Sequence, residues 1–346
     1  MKHNPKIISI GFAVPPVSFT QREIFDQLGY PHHFWRIYEE AAIDKRHFWV
    51  PFSQPLTWQE ATDAYREGAT QLTREVVKQC LDGRDPADIA HVTYASCTGY
   101  ECPSIAHRIG KGFSPRVGYT PILGTGCEGS APALRRAYDF TVATGKTSIA
   151  ISCEICSVCH FPEDGANPDP TREFELLRAN AIFGDGACAV LIGYDNNPRH
   201  PYLMDFENYF DPENMKHLGF LWQDGRLRCL LSRQVPKIAP KVSAKALAPL
   251  LERNGLKIDD VTWWIIHPGG RAVLDNIRDE LELPESKMTH SREVLRNYGN
   301  CSSSSIGIAG KLLMGENVKP GDWGVIISLG AGLAAGATLL KWETRQ

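Results

Sequence analysis

The stretch Pro121-Ile122-Leu123-Gly124-Thr125-Gly126-Cys127-Glu128-Gly129-Ser130 sets a lone thiol where a strand ends and a helix begins. Small residues on both sides of Cys127 let the backbone turn sharply there. They leave the sulfur reachable at the top of a helix expected from about Gly129 to Thr144. A helix N-terminus favours negative charge, so the expectation is a thiol pKa drawn down toward the nucleophilic thiolate. Most free cysteines are merely small core hydrophobes. Cys127 therefore needs partners before it reads as a nucleophile.

Two downstream stretches supply them. Trp263-Trp264-Ile265-Ile266-His267-Pro268-Gly269-Gly270 and Asn297-Tyr298-Gly299-Asn300-Cys301-Ser302-Ser303 each set a polar residue at the end of an apolar or turn-like segment, among residues that permit close approach. A cysteine with a distant histidine and an amide side chain has the make-up of a thiol nucleophile, its base and an oxyanion stabiliser. The candidates are Cys127, His267 and Asn300.

With the run Ile151-Ser152-Cys153-Glu154-Ile155-Cys156-Ser157-Val158-Cys159 and Phe183-Gly184-Asp185-Gly186, these motifs resemble the type III polyketide synthases. That family includes plant chalcone synthases and bacterial tetrahydroxynaphthalene synthases, and the likeness is closer to the bacterial branch. Tyr94 to Tyr100 and Ala42 to His47 extend it over nearly the whole chain. The resemblance implies a thiolase-like α/β fold: two similar βα halves, layered α-β-α-β-α, with the site between them. The halves are expected at 1–195 and 196–346, the first carrying Cys127 and the second His267 and Asn300. A homodimer is implied as well.

Composition agrees with a large globular α/β protein. The chain has 346 residues, enough for a substantial core, and a formal charge of −3 gives no global attraction to nucleic acid or anionic membrane. Ten cysteines without framework spacing point to a reducing cytoplasm. The run Ile7 to Val14 superficially resembles a signal peptide. Pro15-Pro16 cut it short and no small-x-small site follows, so a first strand is expected. No run approaches the ~20 apolar residues of a membrane span.

Along the chain, periodicity predicts helices over Thr20–Leu28, with a Thr20/Glu23 capping box, and over Pro31–Ala42, then a basic turn at Asp44–His47. It predicts a long amphipathic helix over Thr57–Leu81 and strands at Ile89–Ala95, Ser148–Cys153 and Ala187–Tyr194. A Pro- and Asp-bearing loop with a short helix spans Phe161 to Asn180, and Asp195–His200 is the best internal boundary. Helices at Ser243–Asn254, Ala272–Leu281 and after Cys301, and strands ending at His267 and at Trp323–Leu329 and Ala337–Trp342, complete the α/β rhythm.

Three motifs mislead. Cys156-Ser157-Val158-Cys159-His160 spells a haem-attachment pattern, which needs export. On a strand, Cys156 would also point away from Cys153 and Cys159, against a metal cluster. The Gly330-Ala331-Gly332 run invites a dinucleotide reading, but too few residues follow for another βα unit. Ser302 to Ser305 lack a nucleophile elbow and read as a cap or small-residue packing. No metal or redox cofactor is expected.

The resemblance implies the chemistry. Cys127 accepts an acyl group from a thioester, a malonyl thioester loses carbon dioxide, and its enolate, held by His267 and Asn300, attacks the acyl group before cyclisation to an aromatic ring or pyrone. It also implies substrate contacts: Cys97, Cys102, Cys156, Cys159 and Ser302 around the cavity, Gly330 in a glycine loop beside it, and Leu203 and Cys229 at the positions of two bulky gatekeepers. Arg36 stands at a basic position that binds coenzyme A phosphates in plant members. Its companions align with His33 and Glu40, which leaves coenzyme A or an acyl carrier protein as the donor; Lys45 and Arg46 could compensate or form an ordinary solvated turn. Glu101 is either structural or the base of a nondecarboxylative condensation joining two acyl chains. A thioester hydrolase or acyltransferase using Cys127 is a further alternative. Glu128 is expected to turn into the first helical turn, where its charge is favourable.

Overall fold

A computed structural model describes residues 4–51, 56–159, 170–223 and 226–343. His160 and residues 161–169 of the loop expected over 161–180 lie outside them. In chain order the elements are β1 (Lys6–Ala13), β2 (Ser18–Thr20), α1 (Gln21–Leu28), α2 (Trp35–Glu39), β3 (Lys45–His47), α3 (Trp58–Leu81), β4 (His91–Ala95), α4 (Ile105–Arg108), β5 (Gly118–Ile122), α5 (Ser130–Thr144), β6 (Ser148–Glu154), α6 (Pro170–Ile182) and β7 (Gly186–Gly193). They continue with β8 (Tyr202–Tyr209), β9 (Leu218–Gln223), β10 (Arg226–Leu231), α7 (Val235–Arg253), β11 (Val261–Ile266), α8 (Arg271–Glu280), α9 (Thr289–Tyr298), α10 (Ser305–Leu313), β12 (Trp323–Leu329) and β13 (Ala335–Lys341).

Nine strands join in the order β11-β12-β13-β8-β1-β7-β6-β4-β5. Read outward from the middle, one pattern occurs twice. β1 pairs antiparallel with β7, β7 antiparallel with β6 and β6 parallel with β4. Likewise β8 pairs antiparallel with β13, β13 antiparallel with β12 and β12 parallel with β11. The two runs touch through Lys6 and Tyr202.

Three apolar clusters separate the layers. Leu72, Val76 and Cys80 of α3 pack on Ile149, Ile151 and Leu191 of the first half. Ala133 and Leu134 of α5 and Ile306 and Leu313 of α10 pack between strands of both halves, against Ile7, Ile192, Ile265 and Leu340. Leu247 and Leu250 of α7 and Leu274 and Ile277 of α8 cover Trp264, Val325 and Leu339 of the second half. The order of layers is α-β-α-β-α, with the N-terminal ends of α5 and α10 in the middle layer. This geometry brings Cys127, which precedes α5, close to Asn300, which precedes α10.

Local signals explain most element ends. Thr20/Glu23 and Thr57/Glu60 form capping boxes, and Gly145 ends α5 in the left-handed region at φ 72°. Other expectations are corrected. The basic turn at Asp44–His47 contains β3, paired with β2, and Arg46 is fully buried. Helix α7 starts eight residues before the expected Ser243, through Pro236 and Pro240. Pro240 has no N–H to offer the Pro236 carbonyl one turn back; the Asn276 amide donates to it instead at 2.7 Å. Beyond Glu154 the cysteine run leaves the strand, so Cys156 to Cys159 form a 3-10 turn and the alternating-face argument does not reach them. Strands β8, β9 and β10 and helix α9 had no counterpart in the periodicity.

Candidate active site

Cys127 lies in a 3-10 turn, Gly126–Glu128, directly before α5. Gly126 takes φ 57° and packs on Ala331, and a Cβ on Gly129 would stand 3.1 Å from the Ala95 side chain. The small residues are thus required by close packing on both sides. A second loop clamps the turn: Ala331 N–H donates to the Thr125 carbonyl, and Gly330 lies so close to Glu128 that a side chain there would collide with it.

His267 follows the last residue of β11. Its N–H donates to the Ile327 carbonyl, its carbonyl accepts from Gly269, and it is 2% exposed. Its Nδ1 has no hydrogen-bond partner among the described residues. Asn300 is fixed through its backbone, which donates to the Ile182 carbonyl and accepts from Gly184 N–H. Its Oδ1 accepts from Ser302 N–H at 2.9 Å. The Nδ2 end is then free to meet the Cys127 sulfur.

These three residues line one cavity, with Phe183, Leu218, Leu231, Val235, Val273 and Leu333 as apolar walls. The walls set the protonation states. Burial pushes the Cys127 thiol up to about 12; hydrogen bonds from Ser302 and Asn300 act against it, and the Glu154 charge adds to the rise. This reverses the expectation drawn from the helix N-terminus, because desolvation of the thiolate outweighs the dipole. Burial likewise pushes His267 down to about 3. Taken singly, both groups are neutral near pH 7, and a charge on either is favourable only beside the opposite charge on the other.

One group in this region went unassigned in the sequence. Glu154, 0% exposed at the end of β6, accepts from Cys97 N–H at 3.0 Å, from Thr98 N–H and hydroxyl, and from Ser303 Oγ at 2.5 Å. Burial raises its pKa while these donors lower it. It joins β6 to the turn that carries Ser302, whose hydroxyl lies 3.4 Å away. The available signal was an acid closing an otherwise apolar strand.

The other candidates divide. Ser302 sits beside Cys127 in the left-handed region, at φ 51°. Cys97 Sγ lies 3.6 Å from Ser302 Oγ, Cys156 and Cys229 share a core cluster with Cys127, and Cys159 packs in the cluster of the first half. Gly330 clamps the Cys127 turn. Leu203 does not belong here: it is fully buried in the middle layer, opposite Leu340, because pairing with β13 turns it away from the cavity. Cys102 is exposed on the surface. Arg36 is 80% exposed and pairs with Glu40 at 2.7 Å.

Arg46 cannot serve a phosphate. Its guanidinium donates to Gln21 and to the Asn180 and Phe183 carbonyls, and burial lowers it to about 10. Glu128 does lie in the turn that opens the helix, but, buried against Gly330, it is raised by burial to about 7, so its charge is not the favourable one expected there. Glu101 is absent from the cavity lining. One of its oxygens accepts from Arg66 at 2.8 Å and the other from Arg108 at 2.6 Å.

Two family models match the chain: the N-terminal domain of chalcone and stilbene synthases over residues 53–196 and the C-terminal domain over 207–342. A 1,3,6,8-tetrahydroxynaphthalene synthase of Streptomyces peucetius subsp. caesius is 30% identical over 325 residues, covering 89% of this chain and 83% of that one. A 3,5-dihydroxyphenylacetyl-CoA synthase of Streptomyces toyocaensis is 26% identical, covering 98% and 90%. The crystal structure of the 1,3,6,8-tetrahydroxynaphthalene synthase of Streptomyces coelicolor A3(2) superimposes with a TM-score of 0.89 at 24% identity, covering 98% of this chain and 100% of that one.

Proposed function

Because the chain belongs to the chalcone and stilbene synthases, the type III polyketide synthases, we propose that Cys127, His267 and Asn300 are the residues through which it condenses acyl thioesters. The observation that carries the assignment is their convergence on one otherwise apolar cavity.

Cys127 Sγ attacks the thioester carbonyl while its proton passes to the His267 imidazole, so thiolate and imidazolium arise together in a site that penalises either alone. The carbon–sulfur bond to the donor breaks, and the acyl group stays on Cys127. A malonyl thioester then releases carbon dioxide, and the enolate oxygen accepts hydrogen bonds from His267 and Asn300 Nδ2. The enolate carbon attacks the acyl carbonyl and Cys127 leaves as the thiolate; the β-ketoacyl chain is reloaded and extended again, and after repeated extension it cyclises to an aromatic ring or pyrone, releasing its thiol carrier. Oxidation states do not change in the condensation, and neither metal nor redox cofactor enters these steps.

Glu101 is left out of this chemistry; the support for that is that both its oxygens are held by arginines. The homodimer expected from the family fits the outer edge of β5, which among the described residues pairs only with β4; Leu123, directly after β5, and Tyr100 are exposed. Cys102 would then lie at the interface. Among the described residues no helix is long and apolar enough to cross a membrane; a cytoplasmic location is proposed from the cysteine usage.

The test is incubation with octanoyl-coenzyme A, with and without malonyl-coenzyme A, followed by mass spectrometry of the products and of the Cys127 peptide. Products lengthened by two-carbon units only with malonyl thioester, and lost in Cys127→Ser, are expected. A product joining two octanoyl chains without malonyl thioester would refute the decarboxylative reading, and unchanged turnover of Cys127→Ser would refute the nucleophile.

A further inference from the structure

Helix α7 carries two faces. Val235 and Ala239 line the Cys127 cavity, while Arg233, in the turn before the helix, and Lys237 and Lys241 on it are exposed. The cations recur every four residues, so they form one line of about 12 Å that starts at the cavity rim. None of the three pairs with a carboxylate among the described residues. The next position, Lys245, is already engaged, donating to the Tyr209 hydroxyl at 2.8 Å.

This placement opposes helix electrostatics. The N-terminal end of a helix is its positive pole and favours acids, yet the first turn of α7 has none. Arg233 and Lys237 add positive charge where it is least favourable, and the helix dipole reinforces their field toward an approaching anion. At the same time Arg36, at the position that the family resemblance links to coenzyme A phosphates, is offset by Glu40, and Arg46 is buried.

We propose that this ridge docks the acidic helix of an acyl carrier protein, whose thioester arm enters past Val235 to load Cys127. The proposal rests on the acyl-loading chemistry above. A compact phosphate group would need cations converging on one point. A line of charges at the rise of a helix instead matches carboxylates spaced four residues apart on a partner helix. In the transfer, Cys127 Sγ bonds to the acyl carbonyl, the carrier's carbon–sulfur bond breaks, and the carrier thiol leaves with the proton that Cys127 gave to His267.

The experiment compares octanoyl-acyl carrier protein with octanoyl-coenzyme A as donors, reading Cys127 acylation by intact-protein mass spectrometry across ionic strength. Wild type is set against the triple variant Arg233→Glu, Lys237→Glu, Lys241→Glu and its all-Gln counterpart, each checked for folding by circular dichroism. Loading from the carrier is expected to fall at least about tenfold in the Glu variant, less in the Gln variant, and to lose its salt dependence, while loading from coenzyme A stays within about twofold. Equal losses with both donors would make the ridge a coenzyme A phosphate site and overturn the docking. Unaltered carrier loading would make it a solvated face and overturn it equally, as would a wild type loaded by coenzyme A but not by the carrier. A wild type loaded by neither donor would overturn the acyl-loading reading itself.

Discussion

Replacing Gly330 with alanine tests whether the clamp on the Cys127 turn sets the reaction geometry. Gly330 has φ −153° and ψ −160°, an extended backbone that alanine adopts without strain. The substitution therefore acts through contact alone. Its Cβ would lie 2.4 Å from both the N and Cβ of Glu128 and 2.5 Å from the Thr125 carbonyl oxygen, where ordinary contact begins at 3.4 Å. Two of these three atoms are backbone, so the turn carrying Cys127 must retreat by about 1 Å, the difference between those distances. A displacement of that size at a reacting atom lowers the rate by about a hundredfold, or about 2.7 kcal/mol of barrier. The assay is the single-turnover acylation of Cys127 by octanoyl-coenzyme A, with Gly219→Ala as control because its Cβ would meet nothing within 4 Å. A folded Gly330→Ala protein that acylates within about twofold of the control would refute the clamp as the positioning device.

Two further perturbations probe the buried charges. His267 is excluded from protonation in the folded state, so below its unfolded value the unfolded chain binds the proton and the fold loses stability as pH falls toward 3. Between pH 7 and pH 5 this costs about 2 kcal/mol. Urea unfolding of wild type against His267→Gln isolates it, since Asp185 and Glu128, whose raised pKa values act in the opposite sense, are common to both; a difference that does not change with pH would contradict the burial argument. Glu101→Gln is expected to keep malonyl-dependent turnover within about threefold while lowering the melting temperature, because Arg66 and Arg108 lose their shared acceptor. Abolished turnover with an unaltered melting temperature would restore Glu101 to the chemistry.

Cys127, His267 and Asn300 were legible in the sequence because each depends on a local device: a strand end, a glycine-permitted turn and a helix start, all written within about ten neighbouring residues. The α/β rhythm was legible for the same reason, since helix and strand periodicity are properties of a short window. The failures came where distant partners decide. Leu203 faces the middle layer because β8 is registered on β13, and a strand's face is set by its neighbour. Pro240 is tolerated inside α7 because Asn276, 40 residues beyond Pro236, supplies the missing donor. Arg46 could be read as part of a solvated turn and Glu128 as a favourable charge at a helix start, and both are buried by segments far along the chain.

Residue chemistry, local spacing and the family resemblance thus pointed to the groups proposed to carry the reaction. Only the tertiary structure decided their charge: the apolar walls around Cys127 and His267 come from β9, β10, α7 and α8, and desolvation depends on everything that encloses a group, wherever it lies in the sequence.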